Sequence, residues 1–315
     1  MTQERTSQHP PENEEFWPPA SEEPGGFVKA GPYELFVRTA GEPDSPPALF
    51  VHGLGGSSGN WTDLMDLLSG RLHNRAVDLP GFGRSEPPQG YGYTLDEHVE
   101  AVARLASGWG GPVHLFGHSL GGAIATRVAA ENPELVRTLT LISPALPTLR
   151  PRGDNALVGI LAVPGLGARL MARMRRLPSD RLVADLMERV LYDTRRAPAE
   201  RVEETIRELE QTRTHNWAEA AIVGSTRGLI SAYLTRGPRS LWRQAASIEA
   251  PTLLIWGRHD TLVSPTLAGT AEAAIPHSRL LVLGDAGHMA QAEQPVAVAR
   301  AFSNLLDDLQ DGRRP

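Results

Sequence analysis

The five residues 117–121 read GHSLG and match the pattern G-x-S-x-G. They follow the apolar segment VHLF, which predicts a β-strand, and they precede a stretch that predicts a helix. A serine in a sharp turn between a strand and a helix needs glycines beside it, because a Cβ at those positions would clash. The pattern and its context together predict that Ser119 is a nucleophile.

A serine hydroxyl needs a base to take its proton and a carboxylate to orient that base. Asp260 follows the apolar segment at residues 252–256, and His288 follows another at residues 280–283. Both positions come just after predicted strands, where active sites of open α/β sheets are found. We therefore predict a catalytic triad of Ser119, Asp260 and His288.

The acid and the base both have competitors in the sequence. Asp285 and Glu293 also lie near His288 and are rival acids. Only two histidines follow the predicted acid, and the other one, His277, precedes the last predicted strand, which would put it at the opposite edge of the sheet. His118 adjoins the nucleophile and is interpreted as a structural neighbour. The sequence therefore favours His288 as the base and leaves the acid more open.

A tetrahedral intermediate needs hydrogen-bond donors directed at its oxyanion, and these are commonly backbone N–H groups. The N–H of Leu120, directly after the nucleophile, is one expected donor. The second is expected from the loop GLGG at residues 53–56, with Leu54 as the donor. This loop has neither G-x-G-x-x-G nor a Lys-Ser/Thr pair, so it does not predict a phosphate site. We expect an oxyanion hole formed by Leu54 and Leu120.

The composition excludes several classes of site. The chain has 315 residues and no cysteine, so it can form no disulfide, no thiolate metal site and no cysteine nucleophile. The net charge is −6, and residues 1–25 carry six glutamates and one arginine, so the remainder is close to neutral. A nearly neutral body does not predict nucleic-acid binding. No cofactor or metal is expected, and the oligomeric state is left open.

The N-terminal residues and the lengths of the apolar runs indicate where in the cell the protein is expected. The chain starts without the basic and apolar regions of a secretory signal, and it contains no run of 18 uncharged apolar residues. We therefore expect a cytoplasmic protein with no stable membrane insertion.

The order of the predicted elements indicates an α/β fold. Short apolar runs alternate with longer helical stretches from residue 26 onward, which predicts a parallel sheet. We expect a disordered acidic tail at residues 1–25, a core at residues 26–144 and 248–315, and a helical cap at residues 145–247. The predicted strands are residues 33–38, 48–52, 72–78, 113–116, 138–142, 252–256 and 280–283. The predicted cap helices are residues 156–168, 169–174, 181–191, 199–213 and 217–234.

The first of these cap helices is the best sequence clue to the substrate. Residues 156–168 carry no charge, and four arginines follow within eight residues. One hypothesis is an apolar lid with a basic margin, which accepts an acyl chain or rests on an anionic lipid surface. The alternative is an ordinary cap helix that packs on the core and exposes its arginines to solvent.

These motifs resemble those of the α/β-hydrolase superfamily over residues 28–310. The resemblance rests on His52 and its glycine loop, on DLPGFGRS at residues 78–85, on GHSLGG at residues 117–122, and on the later acid and histidine. It implies a mostly parallel, eight-stranded sheet flanked by helices, with a helical cap inserted after the sixth strand.

The resemblance also implies a reaction class. Haloalkane dehalogenases and epoxide hydrolases of this fold carry aspartate where this chain has Ser119. We therefore predict a serine hydrolase that cleaves a small, apolar carboxylic ester, in the manner of a carboxylesterase or a monoacylglycerol lipase. Three alternatives stay open, namely a C–C bond hydrolase, a cofactor-free haloperoxidase and a non-catalytic binding protein.

Overall fold

A computed structural model of the protein describes residues 25–148 and 156–313. Eight strands form one sheet in the order β1-β2-β4-β3-β5-β6-β7-β8. The pairs β1/β2 and β2/β4 are antiparallel and all other neighbours are parallel. The strands are β1 Gly25–Ala30, β2 Tyr33–Ala40, β3 Pro47–Val51, β4 His73–Val77, β5 Val113–His118, β6 Val136–Ile142, β7 Thr252–Gly257 and β8 Ser278–Leu283.

The central strands are covered on both faces. Every residue of β5 and β7 is buried, as are four of the five residues of β3. Their continuous apolar sequences therefore reflect helices packed on either side of a parallel sheet. The seven predicted strands are confirmed, with ends that shift by up to two residues. Strand β1 was not predicted, because its sequence GGFVKA is mostly exposed and carries little apolar signal.

Helices flank the sheet on both faces. On one face α1 and α12 pack together around Trp61, Phe116 and Phe302, and on the other face α2 and α3 pack around residues such as Val102 and Ile124. The helices outside the segment between β6 and β7 are α1 Thr62–Leu68, α2 Leu95–Ser107, α3 Leu120–Glu131, α10 Thr266–Ala274, α11 Ala290–Glu293 and α12 Pro295–Gln310.

In the described residues six α-helices lie between β6 and β7, and we call them the inserted helices. They are α4 Ala156–Ala162, α5 Leu166–Met174, α6 Ser179–Val190, α7 Ala199–Thr212, α8 Ala218–Leu234 and α9 Leu241–Ala245. The prediction of one helix over residues 156–168 is wrong, because Pro164 and Gly165 separate α4 from α5. Proline lacks an N–H, and Gly165 has a φ of +76°, which favours glycine. The other predicted helices here are confirmed to within three residues.

Two further sequence predictions concern the N-terminal tail and membrane-spanning segments. The predicted tail lies outside the described residues apart from Gly25, which begins β1. Among the described helices, none combines the length and the apolar character needed to cross a membrane.

Candidate active site

Ser119 lies in a strained turn between β5 and α3. Its φ of +52° and ψ of −116° fall where residues other than glycine are rare. A Cβ on Gly117 would approach the carbonyl oxygen of Gly121 to 2.4 Å, and a Cβ on Gly121 would approach that of Val51 to 2.1 Å. The turn therefore requires both glycines of the G-x-S-x-G pattern, and it holds the serine side chain at the C-terminal edge of the sheet.

Asp260 and His288 form a buried pair at the same edge. The Nδ1 atom of His288 lies 2.9 Å from Oδ2 of Asp260. The other carboxylate oxygen accepts 2.8 Å hydrogen bonds from the backbone N–H groups of Leu262 and Val263. With Nδ1 donating to the carboxylate, Nε2 is the ring nitrogen free to accept a proton. The structure thus brings the predicted acid and base together.

The environment of Asp260 keeps its carboxylate charged. Burial alone would raise its pKa, but the neighbouring His288 and the backbone N–H of Val263 outweigh this effect and hold the pKa below its usual value. A charged carboxylate beside Nδ1 both fixes the imidazole tautomer and stabilises an imidazolium.

The residues that the sequence offered as rivals for the acid and the base do not bond to the His288 ring. The Glu293 carboxylate accepts hydrogen bonds from the backbone N–H groups of Gly287 and Tyr192, and its burial raises its pKa. Asp285 is exposed. His277 precedes β8 and therefore lies at the opposite, N-terminal edge of this parallel pair. In the described chain none of the three contacts the His288 imidazole through a hydrogen bond.

The backbone N–H groups of Leu54 and Leu120 border the same space as Ser119. Neither N–H donates a hydrogen bond to any group in the described parts of the chain. A Cβ on Gly53 would lie 3.0 Å from the Cβ of Ser119, so the loop that carries Leu54 passes directly beside the nucleophile. Two unpaired N–H groups at this position can stabilise an oxyanion on a carbonyl attacked by Ser119.

His52 holds this loop in place, a role that sequence reasoning did not assign. Its Nδ1 donates to the carbonyl of Gly53 at 2.7 Å, and its Nε2 accepts from the backbone N–H of Leu79 at 3.0 Å. Full burial lowers the pKa of the imidazole, so the ring is neutral and can both donate and accept. The DLPGFGRS motif at residues 78–85 therefore supports the loop beside the nucleophile.

His118 supports the main chain of the base. Its Nε2 donates a 3.0 Å hydrogen bond to the carbonyl of His288, and the two ring centroids lie 4.6 Å apart. Burial lowers the pKa of His118 to about 3, so this ring stays neutral and does not add a charge beside Asp260 and His288.

The end of α6 contacts the loops that hold the acid and the base. The backbone N–H of His288 donates to the carbonyl of Val190 at 2.7 Å. The hydroxyl of Thr261, next to the acid, donates to the carbonyl of Arg189 at 2.8 Å. These contacts join residues about 70 to 100 positions apart, so no local pattern in the sequence could have indicated them.

A cavity of about 1250 Å³ opens above these residues. Ser119, His288, Leu54 and Leu120 all line it. Apolar side chains from the inserted helices form much of its wall, among them Leu161, Met171, Met174, Leu182, Ile222 and Leu229. The space is therefore large enough for a substrate with an extended apolar part.

One end of the cavity is polar. The hydroxyl of Ser57 donates to a carboxylate oxygen of Glu208 at 2.8 Å, and Arg201 pairs with Asp63 at 2.5 Å. Burial raises the pKa of Glu208. Arg38 is mostly buried and lies 3.8 Å from the Glu208 carboxylate. The two arginines at this end of the cavity, Arg38 and Arg201, therefore both lie within ion-pair distance of carboxylates.

A family model described as the alpha/beta hydrolase fold matches residues 46–295. The chain belongs to this family. Membership and the hydrolase relatives identify the protein as an enzyme, and the eight-stranded, mostly parallel sheet with flanking helices is the one that the sequence resemblance implied.

Three curated relatives are similar over most of this α/β hydrolase. The first, the dihydrolipoyllysine-residue acetyltransferase component of the acetoin cleaving system of Cupriavidus necator, is 29% identical over 82% of this chain, which spans only 62% of that protein. Lipase 3 of a Moraxella species is 26% identical over 84% of this chain and 78% of its own. The 2-hydroxy-6-oxononadienedioate/2-hydroxy-6-oxononatrienedioate hydrolase 2 of Pseudomonas putida is 27% identical over 88% of this chain and 92% of its own.

Solved structures share the fold. The 2-hydroxy-6-oxo-6-phenylhexa-2,4-dienoate hydrolase of a Rhodococcus species superposes with a TM-score of 0.75 at 22% identity. The match covers 90% of this α/β hydrolase and 98% of that chain.

Proposed function

We propose that this α/β hydrolase cleaves a carboxylic ester through an acyl-enzyme on Ser119. The observation that carries the proposal is that four groups suited to acyl transfer border one cavity. They are a serine in a strained turn, an imidazole oriented by a buried carboxylate, and two unpaired backbone N–H groups. This set supplies a nucleophile, a base and an oxyanion hole, which are the requirements for acyl transfer.

In the first half-reaction the hydroxyl of Ser119 attacks the ester carbonyl while Nε2 of His288 takes its proton. The carbonyl oxygen becomes an oxyanion, which the N–H groups of Leu54 and Leu120 bind. As the carbon–oxygen bond to the alcohol breaks, the imidazolium returns the proton to the leaving alcohol. Asp260 stabilises the imidazolium throughout.

In the second half-reaction a water molecule replaces the alcohol. His288 takes a proton from this water as it attacks the acyl carbonyl, and the same two N–H groups bind the new oxyanion. Collapse of this intermediate breaks the bond to Ser119, which recovers its proton from His288, and the carboxylic acid leaves.

We also propose that residues 145–247 act as a cap that shapes the substrate site. Side chains of the inserted helices line the cavity, and α6 contacts the loop of His288. The apolar wall suits the acyl chain of a small ester, and the similarity to a lipase agrees with this assignment. The polar end of the cavity is the side on which we place the alcohol part of the ester.

C–C bond hydrolysis is the second candidate, since one curated relative is a hydrolase of a dienedioate. A dicarboxylate needs cations that are free to bind it. In this cavity Arg201 already pairs with Asp63, and the carboxylates of Glu204 and Glu208 lie within 4.0 Å of Arg38. Because Arg38 and Arg201 already have acidic partners, we favour the ester over the dicarboxylate.

A set of p-nitrophenyl esters with acyl chains of two to twelve carbons tests this function, alongside a vinylogous diketone acid. We expect ester hydrolysis and covalent labelling by a fluorophosphonate in the unaltered protein. Ser119→Ala should abolish labelling and lower kcat on the order of 10⁶-fold. Near-normal ester hydrolysis in this variant, or turnover of the diketone acid alone, would overturn the proposal.

Ser240→Ala provides a matched control. Ser240 lines the same cavity, and its hydroxyl has no hydrogen-bond partner among the described groups. This variant should label with the fluorophosphonate and hydrolyse esters as the unaltered protein does.

A further inference from the structure

The segment from α4 to the end of α5 combines exposed apolar side chains with an excess of positive charge. Ile160, Val163 and Leu166 are 38%, 45% and 44% exposed. Residues 156–177 contain four arginines and no acidic residue. Neighbouring exposed apolar residues on a folded protein commonly mark an interaction site, and here the surrounding charge indicates the chemistry of the partner.

Helix α5 separates an inner face from an outer face. Met171 and Met174 line the cavity, which defines the inner face. Leu166, Arg169 and Arg173 follow each other at intervals of three and four residues, are all exposed, and therefore share the outer face. The outer face thus runs from an apolar tip into a basic strip.

Three of the four arginines in residues 156–177 make no ion pair within the part of the chain that the structure describes. Arg175 pairs with Glu219 at 3.3 Å. Arg169, Arg173 and Arg176, in contrast, make no ion pair and no side-chain hydrogen bond with any group in residues 25–148 or 156–313. Three unpaired cations close together repel one another, so an anionic partner would relieve this repulsion.

Helices α4 and α5, which carry the apolar tip and the basic strip, also border the cavity. Leu186 and Leu234 line the cavity while being 48% and 76% exposed, so they mark its mouth. Leu161 lines the same cavity from α4, and α4 and α5 both pack on α8, which carries Leu234. The segment that carries the exposed tip therefore also forms part of the cavity wall.

We infer that residues 160–176 form a docking surface for an anionic phospholipid bilayer. Its apolar part consists of Ile160, Val163 and Leu166, and its basic part consists of Arg169, Arg173 and Arg176. In this arrangement the apolar tip enters the interfacial region of the bilayer and the guanidinium groups contact the phosphates at its surface. We favour a bilayer over an acidic protein because the exposed apolar residues lie on a tip between two short helices, with unpaired arginines directly beside them. The inference does not depend on the proposed catalysis.

The charge component is tested by sedimentation with vesicles of phosphatidylcholine alone or with 30% phosphatidylglycerol. We expect the full chain to bind the anionic vesicles, less strongly as salt increases, and to bind the zwitterionic vesicles weakly. Arg169→Gln with Arg173→Gln should weaken binding to anionic vesicles about 30-fold. The matched control is Arg137→Gln with Arg300→Gln, two exposed arginines outside the inserted helices, which should bind as the unaltered protein does.

The apolar component has its own pair of variants. Val163→Ser with Leu166→Ser should weaken binding to anionic vesicles about tenfold. Val282→Ser with Val296→Ser is the control, because these valines have similar exposure on other parts of the surface. Ser119→Ala should bind vesicles normally, which keeps this test separate from the test of catalysis.

The inference is overturned by any of three results. They are absence of binding to anionic vesicles, equal binding to both kinds of vesicle, or equal losses in the test and control variants. Binding of an acidic protein with no binding to anionic vesicles would likewise overturn it and would reassign the surface to a protein partner.

Discussion

The hydroxyl of Ser57 donates a 2.8 Å hydrogen bond to the carboxylate of Glu208. These residues are 151 positions apart, and the contact joins the loop that carries Leu54 to α7. A Cβ on Gly59 would lie 2.3 Å from the same carboxylate, so the helix and the loop pack closely. This contact makes an inserted helix part of the support for one proposed oxyanion donor.

Glu208→Ala should therefore lower kcat for short p-nitrophenyl esters about tenfold with little change in KM. The reason is that the loop loses a support and the N–H of Leu54 is less well aligned with the oxyanion. Glu208→Gln keeps an acceptor for the Ser57 hydroxyl and should recover most of the activity. Equal activity losses in the two variants would contradict a positioning role.

Asp260→Asn should lower kcat about 10⁴-fold, because an amide that presents its NH₂ group to Nδ1 favours the wrong tautomer of His288. The control is Asp285→Asn, since this exposed carboxylate adjoins the base in sequence but does not contact its ring. Steady-state hydrolysis of p-nitrophenyl acetate measures both variants, and thermal unfolding verifies that they fold. A large loss of kcat in Asp285→Asn would contradict the prediction and would point to Asp285 as the acid.

Leu161→Ser should lower kcat/KM for a decanoyl ester about tenfold while changing that for the acetyl ester less than twofold. Leu161 is 8% exposed and lines the cavity, so a polar side chain there removes apolar contact with a long acyl chain. Leu166 is 44% exposed and does not line the cavity. Leu166→Ser should therefore leave chain-length preference unchanged on soluble esters, and equal losses on both esters for Leu161→Ser would exclude a role in binding the acyl chain.

Stability should fall in acid partly because of His114. Burial and the nearby Arg137 lower its pKa to about 4. Between pH 4 and pH 6.5 the unfolded chain therefore binds a proton that the folded chain does not, so this group destabilises the fold as pH falls through that window. The free energy of unfolding in urea, measured from pH 4.5 to pH 6.0, should change with pH less steeply in His114→Gln, by about 1 kcal/mol per pH unit. An unchanged slope would show that His114 titrates normally.

The sequence by itself determined the turn at Ser119 and the positions of seven of the eight described strands. Both depend on short-range rules, because two glycines must flank Ser119 and because buried strands require continuous apolar runs. The same rules indicated Asp260 and His288, since each follows a strand of a parallel sheet, and the carboxyl ends of those strands meet at one edge. Local rules were less reliable where two signals competed. An apolar run at residues 156–168 suggested one helix, whereas Pro164 and Gly165 divided it.

The tertiary structure alone decided how these groups are supported and what surrounds them. Asp260 was separated from Asp285 and Glu293 by the direction of side chains, which nearness in sequence does not specify. The contacts of Ser57 with Glu208 and of Val190 with His288 join segments about 100 or more residues apart. Such contacts follow from how the inserted helices pack over the sheet, and packing depends on the whole chain rather than on any local pattern.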